Sequence, residues 1–402
     1  MASTDEQTNI IKAAVDWFYH SDEQIFEYSG GPGRGKTYVL DKILEEIALS
    51  PLEFAPMTFT GAAAINMRRK GMFSAKTAHS WLYEPIEVPL VKNGKIVMNY
   101  KFNRPVMTKK FVPKPLDDYI KLCVVDEGGS VPQSVAQDII KQGRKIIVTG
   151  DIDQLPPVGE PRGFLYNPDV PRLTKNMRQY GCGENGIEYL SQRALNGLPL
   201  HVGYYGNAVV IPKSVFNKCP DLYLANMDVV ICNRNKTRDE FTDYCRNKRG
   251  VAGHKLPTFG EPLVCKQNEW DIEIDGINLV NGLRGTVASF PDPSSIDLKD
   301  NTFTFNFQPD NMNQYFQHIK ADYKYINMRH EMRNAYKEYE SKYSMGTLFE
   351  YGYAITSYSS QGSEYNNVLY IQEPMNKRLD NTFDYVAITR ARNFLVVVLS
   401  DG

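Results

Sequence analysis

No stretch of this chain is apolar for long enough to cross a bilayer as a helix. Its longest hydrophobic runs, such as Phe394 to Leu399, have the length of a strand, far short of the roughly 20 residues a spanning helix needs. The amino-terminal segment MASTDEQTNI has neither a basic cluster nor an apolar stretch, so no signal peptide is expected. Cysteine is sparse: Cys123, Cys182, Cys219, Cys232, Cys245 and Cys265 are scattered and form no C-x-x-C pair. That argues against a metal knuckle or a disulfide framework and predicts a reducing setting, cytoplasmic or otherwise intracellular. Charge excess is lacking too, with a net charge of −1. Any nucleic-acid binding must then come from a local groove, because the phosphate term depends on where Lys and Arg sit.

What remains is an ordinary globular chain of 402 residues, long enough for two to four domains with real cores. Its first stretch alternates strands and helices. A strand near Ile25 to Tyr28 runs into a glycine loop, and a helix over about Lys36 to Ala48 stops near Pro51. A strand at Met57 to Thr60 precedes a helix over Ala62 to Arg69, and the apolar runs Leu122 to Val125 and Ile146 to Thr149 read as central parallel strands. This alternation predicts an α/β sheet with ligands at the carboxyl ends of its strands. Two β-rich runs around Asn93-Gly94 predict a hairpin, and the following segment, with Pro105, Pro113 and Pro115, reads as loop. A second α/β pattern begins near Arg178, with a strand at Asp228 to Cys232 and a helix over about Thr237 to Lys248; it resumes at Tyr353 and ends in the strand Phe394 to Leu399. Between about Gly260 and Met345 the chain alternates like a small barrel and then forms a helix. In that helix Tyr325, Met328, Met332, Tyr336, Tyr339 and Tyr343 make one apolar stripe, expected to pack on the barrel. The expected units are 1–83 with 121–176, an insertion at 84–120, 177–259 with 346–402, and an insertion at 260–345.

The chemistry concentrates in a few short runs. Gly30-Gly31-Pro32-Gly33-Arg34-Gly35-Lys36-Thr37 satisfies G-x-x-x-x-G-K-[ST] between a strand and a helix. Backbone N–H groups of such a loop cradle phosphate oxygens, and the helix amino terminus adds positive potential. Lys36 would reach the β- and γ-phosphates of ATP, and the Thr37 hydroxyl would bind Mg2+. Asp126-Glu127 follows an apolar strand; Asp126 suits the metal and Glu127 the attacking water. A bare acidic pair after a strand is common, so its weight comes from standing about ninety residues behind the glycine loop.

Gly150-Asp151-Ile152-Asp153-Gln154-Leu155-Pro156-Pro157-Val158 follows the next strand. This G-D-x-x-Q-L-P-P-V run resembles motif III of the superfamily 1 helicases, most nearly the branch with the phage Dda helicase and the RecD subunits. The resemblance continues in order along nearly the whole chain. Leu173 to Gln179 is similar to L-x-x-x-x-R-Q, Tyr353 to Glu364 to motif V, and Tyr385 to Ala391 to motif VI, Y-V-A-[IL]-T-R-A. It implies two RecA-like domains sharing one ATP, with a β-hairpin insertion in the first and an SH3-like barrel in the second, beginning at Asn281 to Val287. It further implies that Gln154 senses the γ-phosphate, Arg178 and Arg390 reach it, Glu364 touches the nucleotide and Gln7 reads adenine. A planar, permanently charged guanidinium suits the equatorial oxygens of a transferring phosphate, although either arginine taken alone reads first as a surface or interdomain salt bridge. Single-stranded DNA would run over Phe59, Thr60, Thr77 and His79 of the first domain and Ser357, Tyr358 and Gln361 of the second, and the Asn93-Gly94 hairpin would wedge the duplex.

The resemblance thus implies a monomeric ATP-dependent helicase moving 5′-to-3′ on single-stranded DNA and at forks. It would serve replication, recombination or repair beside single-strand-binding or replisome proteins. An RNA helicase of the same superfamily, a P-loop small-molecule kinase and a single-strand-binding module without turnover are the rival readings. The kinase would need an acceptor pocket and lid and has no use for a distant T-R-A arginine. Gly128-Gly129 departs from the Ala or Ser of many relatives and reads as flexible.

Overall fold

The computed structural model describes residues 3–92, 94–99, 104–105, 107–177, 185–290, 296–297, 301–339, 346–375 and 380–400. Its first lobe is a six-stranded parallel sheet in the order Arg172–Leu173, Ile25–Gly30, Lys145–Gly150, Leu122–Val125, Phe54–Thr58, Lys76–Thr77. The central strand Leu122–Val125 is apolar throughout because both of its faces are covered. Leu122 and Val124 pack with Leu40 and Ile43 of the helix Lys36–Ile47. Cys123 and Val125 point the other way, toward Val135 and Ile139 of the helix Gln133–Ile140. The helix Asp5–His20 joins the first face through Ile10, Ala14 and Trp17. A reciprocal Thr4–Gln7 capping box starts that helix.

The second lobe repeats the plan in the order Gly203–Tyr205, Ala208–Pro212, Ala391–Leu399, Tyr365–Ile371, Val229–Cys232, Ala354–Thr356. All pairs are parallel except the opening hairpin. That hairpin and the helix Gly186–Leu195 were not foreseen, although Ala208–Pro212 is a continuous apolar run and Ile187, Leu190 and Ala194 fall on one helical face.

A third, antiparallel sheet is built from Pro262–Cys265, Arg284–Ser289, Ile296–Asp297, Thr302–Pro309, Phe316–Asp322 and Phe349–Tyr351 around the buried rings Phe303, Phe305, Phe307, Phe316 and Phe349. Phe349–Tyr351 pairs with Pro262–Cys265, so this unit extends past the boundary expected at 345. A two-stranded ribbon, Glu269–Ile274 with Ile277–Leu279, leads from it to the first lobe. The ribbon meets the helix Gly61–Arg69, whose Ile65 lies in the third unit's core. Arg68 of that helix donates to the Asp275 and Gly276 carbonyls.

Three expectations need correction. The single long helix after the barrel is two, Tyr323–Ile326 and His330–Tyr339. Only part of its stripe is a seam: Tyr325 and Tyr336 are buried together with Met328 beside them, whereas Met332 is exposed. The Tyr339 side chain and Tyr343 lie outside the described residues. Met107–Pro113, read as loop because of its prolines, is a strand paired antiparallel with Tyr83–Pro89. A ribbon of two strands has only edges, where a proline nitrogen can face away from the ladder. Gly128 and Gly129 are not a flexible sequel. A Cβ on Gly128 would stand 2.3 Å from Val148, and one on Gly129 would stand 2.9 Å from the Asp151 carbonyl oxygen. The glycines let the ends of two neighbouring strands close on each other, which brings Asp126 and Glu127 toward Asp151.

Candidate functional site

The glycine loop, the Asp-Glu pair and the Asp151–Gln154 run each follow a strand of the first lobe, at the same carboxyl edge of its sheet. Gly33 and Gly35 adopt positive φ, 77° and 84°, as the turn into the helix requires. The loop walls a cavity of about 260 Å3 with Lys36, Thr37, Asp126, Glu127, Gln154 and Met177. The second lobe supplies Gly362, Glu364 and Arg390 to the same cavity.

The polar contacts within it are specific. Lys36 Nζ donates to the Gly30 carbonyl at 2.8 Å. Asp126 Oδ1 accepts from the Glu127 N–H at 2.9 Å. Glu127 has φ 56°, a left-handed conformation unusual for a residue with a side chain. Burial pushes its carboxyl above the ordinary glutamate range; Lys36 opposes the rise and Asp126 adds to it. Arg390 is buried, and its guanidinium donates to the Val386 and Ser363 carbonyls and the Thr389 hydroxyl. Glu364 accepts from Arg392.

Gln7 lies against the loop without lining the cavity. It is buried, its Oε1 accepts from the Thr4 N–H at 3.0 Å, and its Nε2 would be 2.6 Å from a Cβ on Gly35. Arg34 forms an ion pair with Glu188 of the second lobe at 3.1 Å. Arg178 lies outside the described residues, although its neighbour Met177 donates its N–H to the Gly33 carbonyl at 2.8 Å.

Side chains from both lobes stitch the cavity floor. Tyr385 Oη donates to Asp151 Oδ2 at 2.7 Å, and Gln154 Nε2 reaches the same oxygen at 3.4 Å. Gln361 Nε2 donates to the Leu155 carbonyl at 2.9 Å, while the Leu155 side chain is buried in the second lobe's core. Asn66 Nδ2 donates to the Gly362 carbonyl at 2.7 Å. The run Asp151 to Val158 therefore touches the cavity at Gln154 and a separate groove at Pro157 and Val158.

That groove, about 370 Å3, crosses both lobes and the third unit. Of the residues expected on it, Phe59, Thr60, Thr77, His79, Tyr358 and Gln361 line it. The Thr60 and Thr77 hydroxyls also cap the helices Gly61–Arg69 and Ala78–Leu82. Burial holds the His79 imidazole below its ordinary value, favouring the neutral ring. Ser357 is the exception. It is fully buried, its hydroxyl donates to Asn233 Oδ1 at 2.7 Å, and its neighbour Ser359 faces the groove instead. Trp81, partly buried, does not line the groove and donates its indole N–H to the Pro56 carbonyl at 2.8 Å.

Sequence reasoning missed Val158, Lys266, Asn268, Trp270 and Asn281 on the groove wall. Trp270 packs edge-on to Phe111 at 5.4 Å and near His79 at 6.4 Å. Val158 is 76% exposed, which only the fold reveals. Asn93 lies outside the described residues. The strands on either side of it, Val91–Lys92 and Lys95–Ile96, pair antiparallel, and Gly94 has φ 74°.

Comparison with known proteins agrees with this architecture. The AAA domain family matches residues 12–160. An uncharacterized protein of Methanocaldococcus jannaschii is 22% identical over 452 residues, covering 93% of this chain and 36% of its own length. The chain thus spans about a third of that relative. The Pif1 helicase from Bacteroides in complex with ADP-AlF3 and ssDNA superposes with a TM-score of 0.55 at 16% identity, covering 99% of this chain and 92% of that one. The Candida albicans Pif1 helicase gives 0.51 at 15% identity, covering 99% and 95%. A structure of two coordinating Pif1 helicases unwinding forked dsDNA gives 0.55 at 17% identity, covering 99% and 92%. The chain has the two-lobed α/β fold of the solved Pif1 helicases.

Proposed function

We propose that this protein is an ATP-dependent DNA helicase that moves along single-stranded DNA; the Pif1 helicases that share its fold unwind forked dsDNA and bind ADP-AlF3 and ssDNA. The observation that carries the reading is the shared cavity: Lys36 of one lobe and Arg390 of the other wall the same space. In that reading the triphosphate lies on the Gly31–Gly35 backbone, with Lys36 and Arg390 on its outer oxygens. Glu127 orients the attacking water, and its neighbour Gln154 reports the terminal phosphate to the groove. Arg178 would be a second arginine at that phosphate, Glu364 a nucleotide contact, and Gln7, packed against the loop at Gly35, the adenine reader.

The donor set also fits Mg2+. Thr37 and Asp126 offer one hydroxyl and one carboxylate on the cavity wall, and Mg2+ characteristically takes few protein oxygens and the rest from phosphate and water. Among the described residues no group of three or more His, Cys, Asp or Glu side chains could hold a metal alone, which suits an ion that arrives with the nucleotide. When bound, it would neutralise charge developing on the phosphates. The protein's own part is to hold Thr37 and Asp126 in place, while Lys36 opposes the rise that burial imposes on the Glu127 carboxyl.

Single-stranded DNA would occupy the groove. The cross-lobe bonds from Gln361 to Leu155 and from Asn66 to Gly362 would form and break as ATP draws the lobes together, a ligand-driven shift between closed and open states. The Tyr83–Pro113 ribbon, with Val91 and Ile96 exposed near its tip, would part the duplex. The 5′-to-3′ direction and the monomeric state are carried over from the resemblance, and an intracellular setting from the scattered cysteines. Among the described residues no helix is long and apolar enough to cross a membrane.

Strand displacement on forked and singly tailed duplexes of both polarities, alongside ATPase assays with single-stranded DNA and RNA, tests the proposal. Stimulation by DNA and displacement from 5′ tails is the expected result. ATP hydrolysis indifferent to any single strand would sink it.

A further inference from the structure

The helix Gly61–Arg69 touches more of the machinery than its sequence suggests. Its amino-terminal end, Thr60 to Ala62, walls the groove, while Ala63, Asn66 and Lys70 wall the nucleotide cavity. Asn66 and Lys70, four residues apart, fall on one face, and Asn66 already bonds the second lobe through the Gly362 carbonyl. Lys70 has no part in the roles assigned above. Its ammonium donates to the Thr37 hydroxyl at 3.0 Å. It also lowers the pull of burial on the half-buried Asp41, one turn beyond Thr37.

Building on the reading of the cavity as an ATP site, we propose that Lys70 is a further phosphate-binding residue. It would exchange the Thr37 hydroxyl for the outer phosphates when Mg2+ and nucleotide arrive together. Electrostatic exclusion drives the exchange. The Thr37 hydroxyl serves either an ammonium or a divalent cation, because two cations on one oxygen repel strongly at that range. Lys70 is displaced from Thr37, and the nearest uncompensated anions are those the loop is built to hold. Its long stem lets the ammonium move without the helix moving. Once on phosphate it ties nucleotide occupancy to the helix whose other end forms the groove.

The simpler account is that Lys70 balances Asp41 and the helix carboxyl terminus. Equilibrium binding of a non-hydrolysable ATP analogue and of ADP to wild type, Lys70→Ala and Lys70→Arg, each with Mg2+ and with EDTA, separates the two. We expect Lys70→Ala to weaken Mg2+-loaded analogue by roughly tenfold or more, the loss of one charge-assisted hydrogen bond. The loss should be under about threefold for ADP and should shrink in EDTA, while Lys70→Arg keeps most of the affinity. An equal loss for both nucleotides, an unchanged gap in EDTA, or no loss beside a lowered Tm would overturn the proposal and leave Lys70 a partner of Asp41. If wild type binds neither nucleotide, the ATP-site reading falls and this proposal with it.

Discussion

The nucleotide cavity and the groove lie on opposite sides of the same Asp151–Val158 run, yet they are made in different ways. The cavity is assembled from contiguous motifs at strand ends, where backbone geometry dictates the residues. Gly33 and Gly35 need positive φ, Gly128 and Gly129 leave no room for a Cβ, and Asp126 and Glu127 follow a strand whose end is pinned. The groove is assembled from side chains that already have other employment: Thr60 and Thr77 cap helices, and Phe59 leans on the first lobe's core. Charge decides events in the cavity, whereas shape and stacking decide them in the groove. Substitutions should separate the two sites, and the comparison fails if they do not.

The largest effect is expected at Arg390. Arg390→Ala should retain nucleotide binding but lose hydrolysis by roughly a thousandfold or more, the range ascribed to arginine fingers. Single-turnover phosphate release measured beside nucleotide affinity checks this; undiminished release would reduce Arg390 to a tie on the Ser363 carbonyl. Glu127 comes next. Glu127→Gln should cost about a hundredfold or more in hydrolysis with little change in nucleotide affinity. Its pH dependence has a definite sign. Burial favours the protonated carboxyl, and only the ionised form can polarise water. The acid limb of kcat/KM should therefore fall away at a pH above the ordinary glutamate range. An acid limb at or below that range would show that another group sets it.

The sequence made this contrast partly visible. The glycine loop, the acidic pair and the G-D-x-x-Q-L-P-P-V run were legible because phosphate chemistry constrains neighbouring residues, and neighbours are what a sequence displays. Their convergence with Arg390, more than 350 positions from the loop's Lys36, needed the second sheet to fold. The groove was legible where a residue sat beside a recognisable helix start, as at Thr60, Thr77 and His79, or inside a recognisable motif, as at Tyr358 and Gln361. Trp270 could not be found this way. It stands on a ribbon of the third unit, and only the docking of that ribbon on the helix Gly61–Arg69 carries it across. The strand Met107–Pro113 was hidden by its prolines, since a two-stranded ribbon relaxes the rule that keeps proline out of sheets.

Trp270→Ala sharpens the comparison from the groove side. Losing one aromatic platform should weaken single-stranded DNA binding by about 1–3 kcal/mol, on the order of tenfold or more, and leave nucleotide affinity alone. Trp270→Phe keeps a ring and should recover most of the binding. Titration of labelled oligonucleotide, with nucleotide binding measured in parallel, reads both arms. An equal loss at both sites would mean that Trp270 mainly holds the third unit against the Phe111 strand.

The smallest predicted effect tests the residue that motif reasoning misplaced. Ser357 falls within a run resembling a DNA-contacting motif, but the chain turns immediately after the strand Ala354–Thr356. Its N–H bonds the Cys232 carbonyl, and its hydroxyl bonds Asn233 in a fully buried position. Ser357→Ala should therefore lower stability by about 1–3 kcal/mol, because Asn233 loses a buried partner, and should leave oligonucleotide affinity unchanged in protein that is still folded. Thermal unfolding and DNA titration of the same preparation separate the two outcomes. Ser359→Ala provides the contrast: Ser359 faces the groove and shares its hydroxyl with Thr356, so it should weaken binding modestly at little cost in stability. A reversed pattern, with Ser357 governing affinity and Ser359 stability, would mean that the second lobe meets the strand through a turn rotated by two residues.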